Sequence, residues 1–477
     1  MIVALVLLAL ILAGALAWPD GQQRVRLALV ATVATPVLLV AHISDTSAFT
    51  SLTDRPALLA AAAAAGVAAV AALAALVVRR PAALPVLAVA ALPFRVPIAV
   101  GGSTSNLLLP LYVVVGAGAL AFAWRHVRAG TADGPPPGWL ERALALVLVL
   151  YAVQATYSDD VDHAVENVLF FYAPFALLFV LLRQVEWTRR LALQCLGVLA
   201  GLALLLVGIG FVEYATRTLL LNPKVISSNQ FEEYFRVNSL FFDPNIYGRF
   251  LALVMLAVTT VLVWTTRRGV VGGAAVVLAV LWAGLVLTFS QSSFTALIVG
   301  LAVLAALRWN PRLALGAAAT LAIVGVAVVL VAPGAINLNT GSTEGLDNAT
   351  SGRYDLLAGG GRLATERPAA GWGSGAFARS FRREETASDQ QAVAASHTIP
   401  MTVAAEQGVP GLLAYLALLG VAFARLARGA RRDPARAFVL AAFSAIVVHT
   451  LLYAAFLEDP LTWALLAVGS AFASRPA

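Results

Sequence analysis

Apolar runs of near 20 residues recur along almost the whole chain of 477 residues. A helix rises about 1.5 Å per residue, so a run of that length crosses the ~30 Å hydrocarbon core of a bilayer. In lipid every backbone polar group must be satisfied internally, which leaves only helices and closed barrels as spanning structures. The runs show no period-two alternation, so they read as helices and not as barrel strands. Spans are expected near 2–18, 26–42, 56–78, 81–94, 106–124, 142–157, 168–183, 191–212, 244–265, 270–289, 293–308, 312–331, 410–427, 436–456 and 460–474. The expected fold class is all-α: a polytopic membrane protein with about 12–15 transmembrane helices and a long polar loop, 332–409, carrying short helices. Only 12% of the residues are charged, against roughly 25% in soluble domains, which excludes a soluble fold.

Arginine sets the orientation. One set of alternate loops carries 20 of the 32 basic residues against five acids, and the other carries the remaining 12 against 20 acids. The sides therefore hold net charges of +15 and −8, which give the overall +7. By the positive-inside rule the basic side is cytoplasmic, and 332–409 faces outward. The basic balance is thus a record of topology and gives no reason to expect nucleic acid as a partner; the bilayer is the partner it implies. Lys224 is the single lysine, and with abundant Ala this composition fits a GC-rich bacterial genome. The first run lacks a positive n-region and is followed by Arg24 and Arg26, so it reads as an outside-starting helix and not as a signal peptide. Cys195 stands alone, which excludes a disulfide and a thiolate metal site.

Three outer loops are long: the acidic 157–167, the aromatic 212–243, and 332–409. Together with the apolar runs they suggest three regions: N-terminal helices 1–229, a region 230–430 that contains the long loop, and C-terminal helices 431–477. Charge within the spans is scarce, limited to Arg95, Arg249 and Glu406 near span ends, with His42 and His449 as further cases. Ion-coupled pumps carry ionisable groups near the midplane, so this paucity weighs against them.

Three constellations could carry chemistry. In RVNSLFFDPNIYGRF, Asp243 and Pro244 fit an N-cap and a first helical position. That local reading leaves out Arg236, and Arg249 one turn inside the helix, which either snorkels outward or holds an anion. In the second, Gly371–Gly375 (GWGSG) is either a plain structural turn or a loop whose N–H groups face phosphate oxygens. In the third, SHTIPMTVAAEQGVPG, His397 and Glu406 are about 2.5 helical turns apart and would not share a face. Pro400, Gly408 and Pro410 favour a short helix followed by a bend. A histidine at this boundary is either structural or a group that accepts a proton from a hydroxyl or bonds a phosphate. The five histidines show no zinc-ligand spacing, so no metal is expected.

In this order, RVNSLFFDPN, SQSSFTALIVGLAVLAAL, SGRYDLL…RPAAGWGSGAF and SHTIPMTVAAEQGVPGLLAYL resemble the O-antigen ligase and O-antigen polymerase family of bacterial envelope proteins. The resemblance covers about residues 230–425; where family members often carry Asn after the loop histidine, this chain has Thr398. It implies a cofactor-free and metal-independent glycosyltransferase in the bacterial cytoplasmic membrane. The donor would be a polyprenyl-diphosphate-linked glycan, and the acceptor hydroxyl would belong to a glycan, a lipid or a protein. Arg236 and Arg353 match positions that bind the diphosphate, and His397 matches the proposed base or orienting residue. Arg249 is a further candidate for the diphosphate, with Asn245, Gly373 and Glu406 in support, although Glu406 also reads as helix-end structure. Without a metal, guanidinium groups are the donors best able to compensate a departing diphosphate. The alternative function is a flippase for lipid-linked oligosaccharides or another transporter.

Overall fold

The computed structural model describes all residues except 45–52, 101–102, 130–135, 221–234, 310–311, 313–352, 386–397 and 474–477. Side chains are further left undescribed at 97–100, 103–106, 129, 353–355, 384–385 and 473. Helices dominate. They run α1 (Ile2–Ala17), α2 (Gly21–Ile43), α3 (Pro56–Arg79), α4 (Ala83–Ala91), α5 (Leu109–Ala129) and α6 (Trp139–Gln154) in the first third. There follow α7 (Val161–Arg183, with a π-turn at Asn167–Tyr172), α8 (Arg189–Thr216), α9 (Pro244–Trp264), α10 (Arg268–Leu287) and α11 (Gln291–Arg308). The polar segment contributes α12 (Arg353–Glu366) and α13 (Phe377–Glu385), and α14 (Ile399–Leu426), α15 (Pro434–Thr450) and α16 (Pro460–Ala473) close the chain. Among the described residues, 10 helices are long and apolar enough to cross a membrane, and α1, α15 and α16 are shorter apolar helices. The protein is a multi-pass helical membrane protein.

Two expectations change. The span expected near 81–94 is the nine-residue α4, only ~14 Å long, about half of the hydrocarbon core. Pro93 lies just past its end, and the chain goes into an antiparallel hairpin, β1 (Val96–Val100) against β2 (Ser103–Leu107), with Val96 opposite Leu107. The apolar composition runs on through Pro93, so hydropathy alone does not mark where this helix stops. The span expected near 312–331 lies, beyond Arg312, outside the described residues.

Asp-Pro pairs start three helices in one way. Asp243, Asp433 and Asp459 each turn a carboxylate onto the backbone N–H of the second helical residue, Asn245, Ala435 and Leu461. Pro occupies the first position, where its missing N–H costs nothing.

Packing follows the lipid. The apolar α3 buries only Val77 and turns its other faces outward, whereas α7 and α9 are buried along most of their length. Lipid tails are as apolar as Leu, so helix association depends on close packing. Small residues permit it: a Cβ at Gly300 would come within 2.4 Å of Leu256, and one at Gly284 within 2.5 Å of Val207.

The two ends of the bundle differ. At one end Arg183 pairs with Glu141 at 2.8 Å, Arg24 donates to Trp18 O, and Arg436 donates to Phe472 O. At the other, segments 157–160 and 370–383 are joined by side-chain hydrogen bonds and ion pairs, and 236–245, 288–293 and 453–459 form a second bonded set. These are the loops that charge counting assigns to the inside and the outside.

Candidate functional site

Arg236 occupies a built position at the end of the bundle that charge counting assigns to the outside. Its loop is pinned from two directions: Val237 N–H donates to Leu287 O at 3.1 Å, and Ser239 N–H donates to the buried Glu213 carboxylate at 2.8 Å. The guanidinium itself donates from Nε to Thr288 O at 3.0 Å and from Nη2 to Asn245 Oδ1 at 3.3 Å. Asn245 Oδ1 also accepts from Ser290 Oγ at 2.8 Å, so one amide oxygen ties α9, the Arg236 loop and the start of α11 together. Ser293 Oγ donates to Asn245 O, and Ser292 Oγ lies 3.2 Å from His449 Nε2 on α15. Gly248 makes this crossing possible, since a Cβ there would come within 2.7 Å of Ser293 Oγ. The serines of SQSSF thus form a buried polar seam that fixes the orientation of a half-buried arginine.

Arg249 is four residues past Asn245 and so lies on the same face of α9, one turn deeper. It is 1% exposed and pairs with Asp459 at 2.5 Å, with a further bond from Nη1 to Ala455 O at 3.3 Å. Asp459 compensates its charge, which makes Arg249 part of the wall joining α9 to α16. Arg95, between α4 and β1, is within electrostatic reach of both Asp459 and Arg249, and its buried Nε has no hydrogen-bond partner. Arg95, Arg249 and the carboxylates of Asp459 and Asp243 thus form one polar cluster around Tyr453, beside Arg236's helix. Tyr453 OH completes this wall by donating to Asp243 Oδ2 at 3.0 Å.

The glycine loop is held as a turn. Trp372 N–H donates to Ala405 O and Gly373 N–H to Glu406 O, while Gly375 and Phe377 N–H donate to the Glu406 carboxylate at 2.9 and 3.1 Å. These N–H groups are consumed within the protein. Glu406 is 7% exposed and serves as the acceptor at the start of α13. Trp372, Leu356, Leu363, Phe377 and Phe381 form a second, small core beside α14, with Arg367 stacked 3.7 Å over Trp372. The acidic segment 157–160 docks it: Tyr157 OH donates to Ala370 O, Ser158 Oγ to Ser374 O, and Arg379 and Arg383 pair with Asp160 and Asp159.

Gly373 has φ +94°, and a Cβ there would lie 2.2 Å from Ser158 Cα. Gly373→Ala is expected to cost about 2–4 kcal/mol through strain and overpacking, read as a lower thermal unfolding midpoint in detergent. Gly361→Ala, inside α12 with nothing within 4 Å of its Cβ, is the control, expected to hold or slightly raise the midpoint. Glu406→Ala leaves two buried N–H groups without an acceptor and is expected to cost about 2–4 kcal/mol in the same measurement, with Glu406→Gln recovering part of it.

Arg353 opens α12, and its side chain is not described. His397 lies outside the described residues; Thr398 is the N-cap of α14. Gly408, at φ 63° and ψ −163°, breaks α14 into a short helix and a longer one, and Val409 N–H there donates to Pro368 O. This end of the bundle therefore gathers Arg236 and Asn245 with Arg249 and Arg95, and the Gly373–Glu406 turn forms a separate brace. Sequence reasoning gave no role to Glu213, Ser290, Ser293 or Asp459. The signal for Glu213 and Asp459 is a carboxylate beside an otherwise apolar run; the serines show only as a polar cluster that opens α11.

No curated protein matches the chain. Residues 276–416 match the family model described as O-Antigen ligase. The match begins within α10 and ends past the bend in α14, so it takes in Arg353, Gly373, His397 and Glu406, while Arg236, Asn245 and Arg249 precede it. Over residues 276–416 the chain is thus similar to the O-antigen ligase family.

Proposed function

We propose that this protein transfers a glycan from a polyprenyl diphosphate to an acceptor hydroxyl at the extracytoplasmic face of the bacterial cytoplasmic membrane, as a polysaccharide polymerase or ligase. The family itself carries cell-envelope polysaccharide function of the O-antigen ligase or polymerase type. The donor, the acceptor and the residue roles are this proposal's own. Its main support is the Arg236 seam: a half-buried guanidinium fixed by Asn245, Thr288 O and the serines of α11, above the buried Arg249–Asp459 pair.

In this reading Arg236 and Arg353 bind the diphosphate. The acceptor oxygen forms a bond to the anomeric carbon of the donor while the bond from that carbon to the diphosphate oxygen breaks. His397 takes or orients the acceptor proton, and polyprenyl diphosphate leaves with the bonding electrons. Charge builds on the leaving oxygens in the transition state, and fixed guanidinium groups stabilise it there without reorganising. Arg249, neutralised by Asp459, has a positioning role: it holds the turn of α9 below Asn245.

Cells carrying Arg353→Ala or His397→Ala test this assignment. The expected result is a collapse of polymer length with single lipid-linked repeat units still reaching the outer face. Accumulation of those units on the inner face would favour the transporter reading.

A further inference from the structure

The cytoplasmic end holds a cavity remote from the outer-face site. It measures about 820 Å³ and lies between the ends of α1, α2, α5 and α7 and the segments that open α4 and α8. Its volume falls within the roughly 300–1,000 Å³ of ligand pockets. Four arginines line it, Arg24, Arg125, Arg183 and Arg190, with His126 beside them and Glu186 as the one acid of the lining. Leu84, Phe122 and Phe179 supply apolar wall.

The four arginines divide into two kinds. Arg24 is fixed by Trp18 O and Pro19 O, and Arg183 by Glu141 and Pro136 O. Arg125 and Arg190 have neither an ion pair nor a hydrogen bond among the described residues. The positive-inside rule accounts for arginine at this end of the bundle, but Arg26, Arg79, Arg80 and Arg128 satisfy it without lining this cavity. A concave surface with surplus positive charge above and hydrocarbon wall below matches an anion that carries an acyl chain.

We infer that this cavity binds the phosphate headgroup of an anionic glycerophospholipid from the cytoplasmic leaflet, with Arg125 and Arg190 as the residues that contact it. The acyl chain lies along Phe122 and Phe179. Phosphate is the recognised chemistry, and a soluble phosphate of the cytosol is the other possible source; the apolar wall favours the lipid. This site is independent of the proposed transfer reaction and stands or falls apart from it.

The test uses the full-length protein in a mild detergent, titrated with phosphatidylglycerol, phosphatidylcholine or inorganic phosphate, with native mass spectrometry for bound lipid and thermal unfolding as readouts. Phosphatidylglycerol is expected to bind and raise the unfolding midpoint, and phosphatidylcholine is not. Each of Arg125→Ala and Arg190→Ala is expected to weaken phosphatidylglycerol about fivefold, and the pair about 25-fold. The double Arg→Lys variant keeps the charge and most of the binding, and all variants unfold at the wild-type midpoint without lipid. Equal lipid retention by the double Ala variant overturns the assignment, as does inorganic phosphate alone giving the full shift.

Discussion

Arg236→Ala is expected to lower glycan transfer by about 10²–10³-fold, the cost of removing one preorganised donor from a developing anion. The loss should fall on kcat more than on KM, because the charge it answers is largest when the diphosphate departs. Stability should change little, since the residue is half-buried and its loop is pinned independently through Val237 and Ser239. Arg236→Lys keeps the charge but loses the planar fork that reaches Thr288 O and Asn245 Oδ1 together, so it is expected to recover only part of the activity. Transfer assays on the purified variants, with thermal unfolding alongside, separate these effects. Wild-type activity in Arg236→Ala would remove the residue from the site.

Arg249→Ala should behave in the opposite way, with the damage in stability. It leaves Asp459 buried without its partner, and breaking a buried pair by one side costs about 3–5 kcal/mol. In cells this should appear as low abundance in the membrane, and in detergent as a lower unfolding midpoint. Arg249→Ala with Asp459→Asn removes both charges while keeping a side-chain cap on Leu461, and is expected to be milder than Arg249→Ala alone. Arg249→Lys is expected to sit between. If Arg249→Ala were fully stable and only weaker in donor binding, Arg249 would be a direct diphosphate ligand and not a positioning residue.

The contrast between these two arginines shows what a linear reading can and cannot reach. Both stand near the mouth of one helix, and the sequence marks both as out of place in apolar surroundings. Their fates differ because of partners far along the chain: Asp459 is 210 residues from Arg249, and the serines that seat Asn245 come from the next but one helix. Asp243 and Pro244 were legible because capping is local. The bend at Gly408 was legible from Gly and Pro in one short stretch. The half-length α4 was not, because hydropathy measures composition while the helix ends by backbone geometry near Pro93. The glycine loop admitted two readings until the acceptors on Ala405 and Glu406 were known. Likewise the acidic segment 157–160 showed only charge, and its use as a dock for Arg379 and Arg383 depends on residues about 220 positions away.

The central claim is that the outer end of this bundle breaks a bond to a lipid diphosphate and makes a glycosidic bond. The direct measurement is product stoichiometry with the purified protein in proteoliposomes, supplied with a polyprenyl-diphosphate-linked repeat unit. One polyprenyl diphosphate released for each new glycosidic bond, on the face that exposes residues 353–385 and dependent on Arg236, is the expected result. Donor that crosses the bilayer intact, with no diphosphate lipid released and no chain growth, would contradict it.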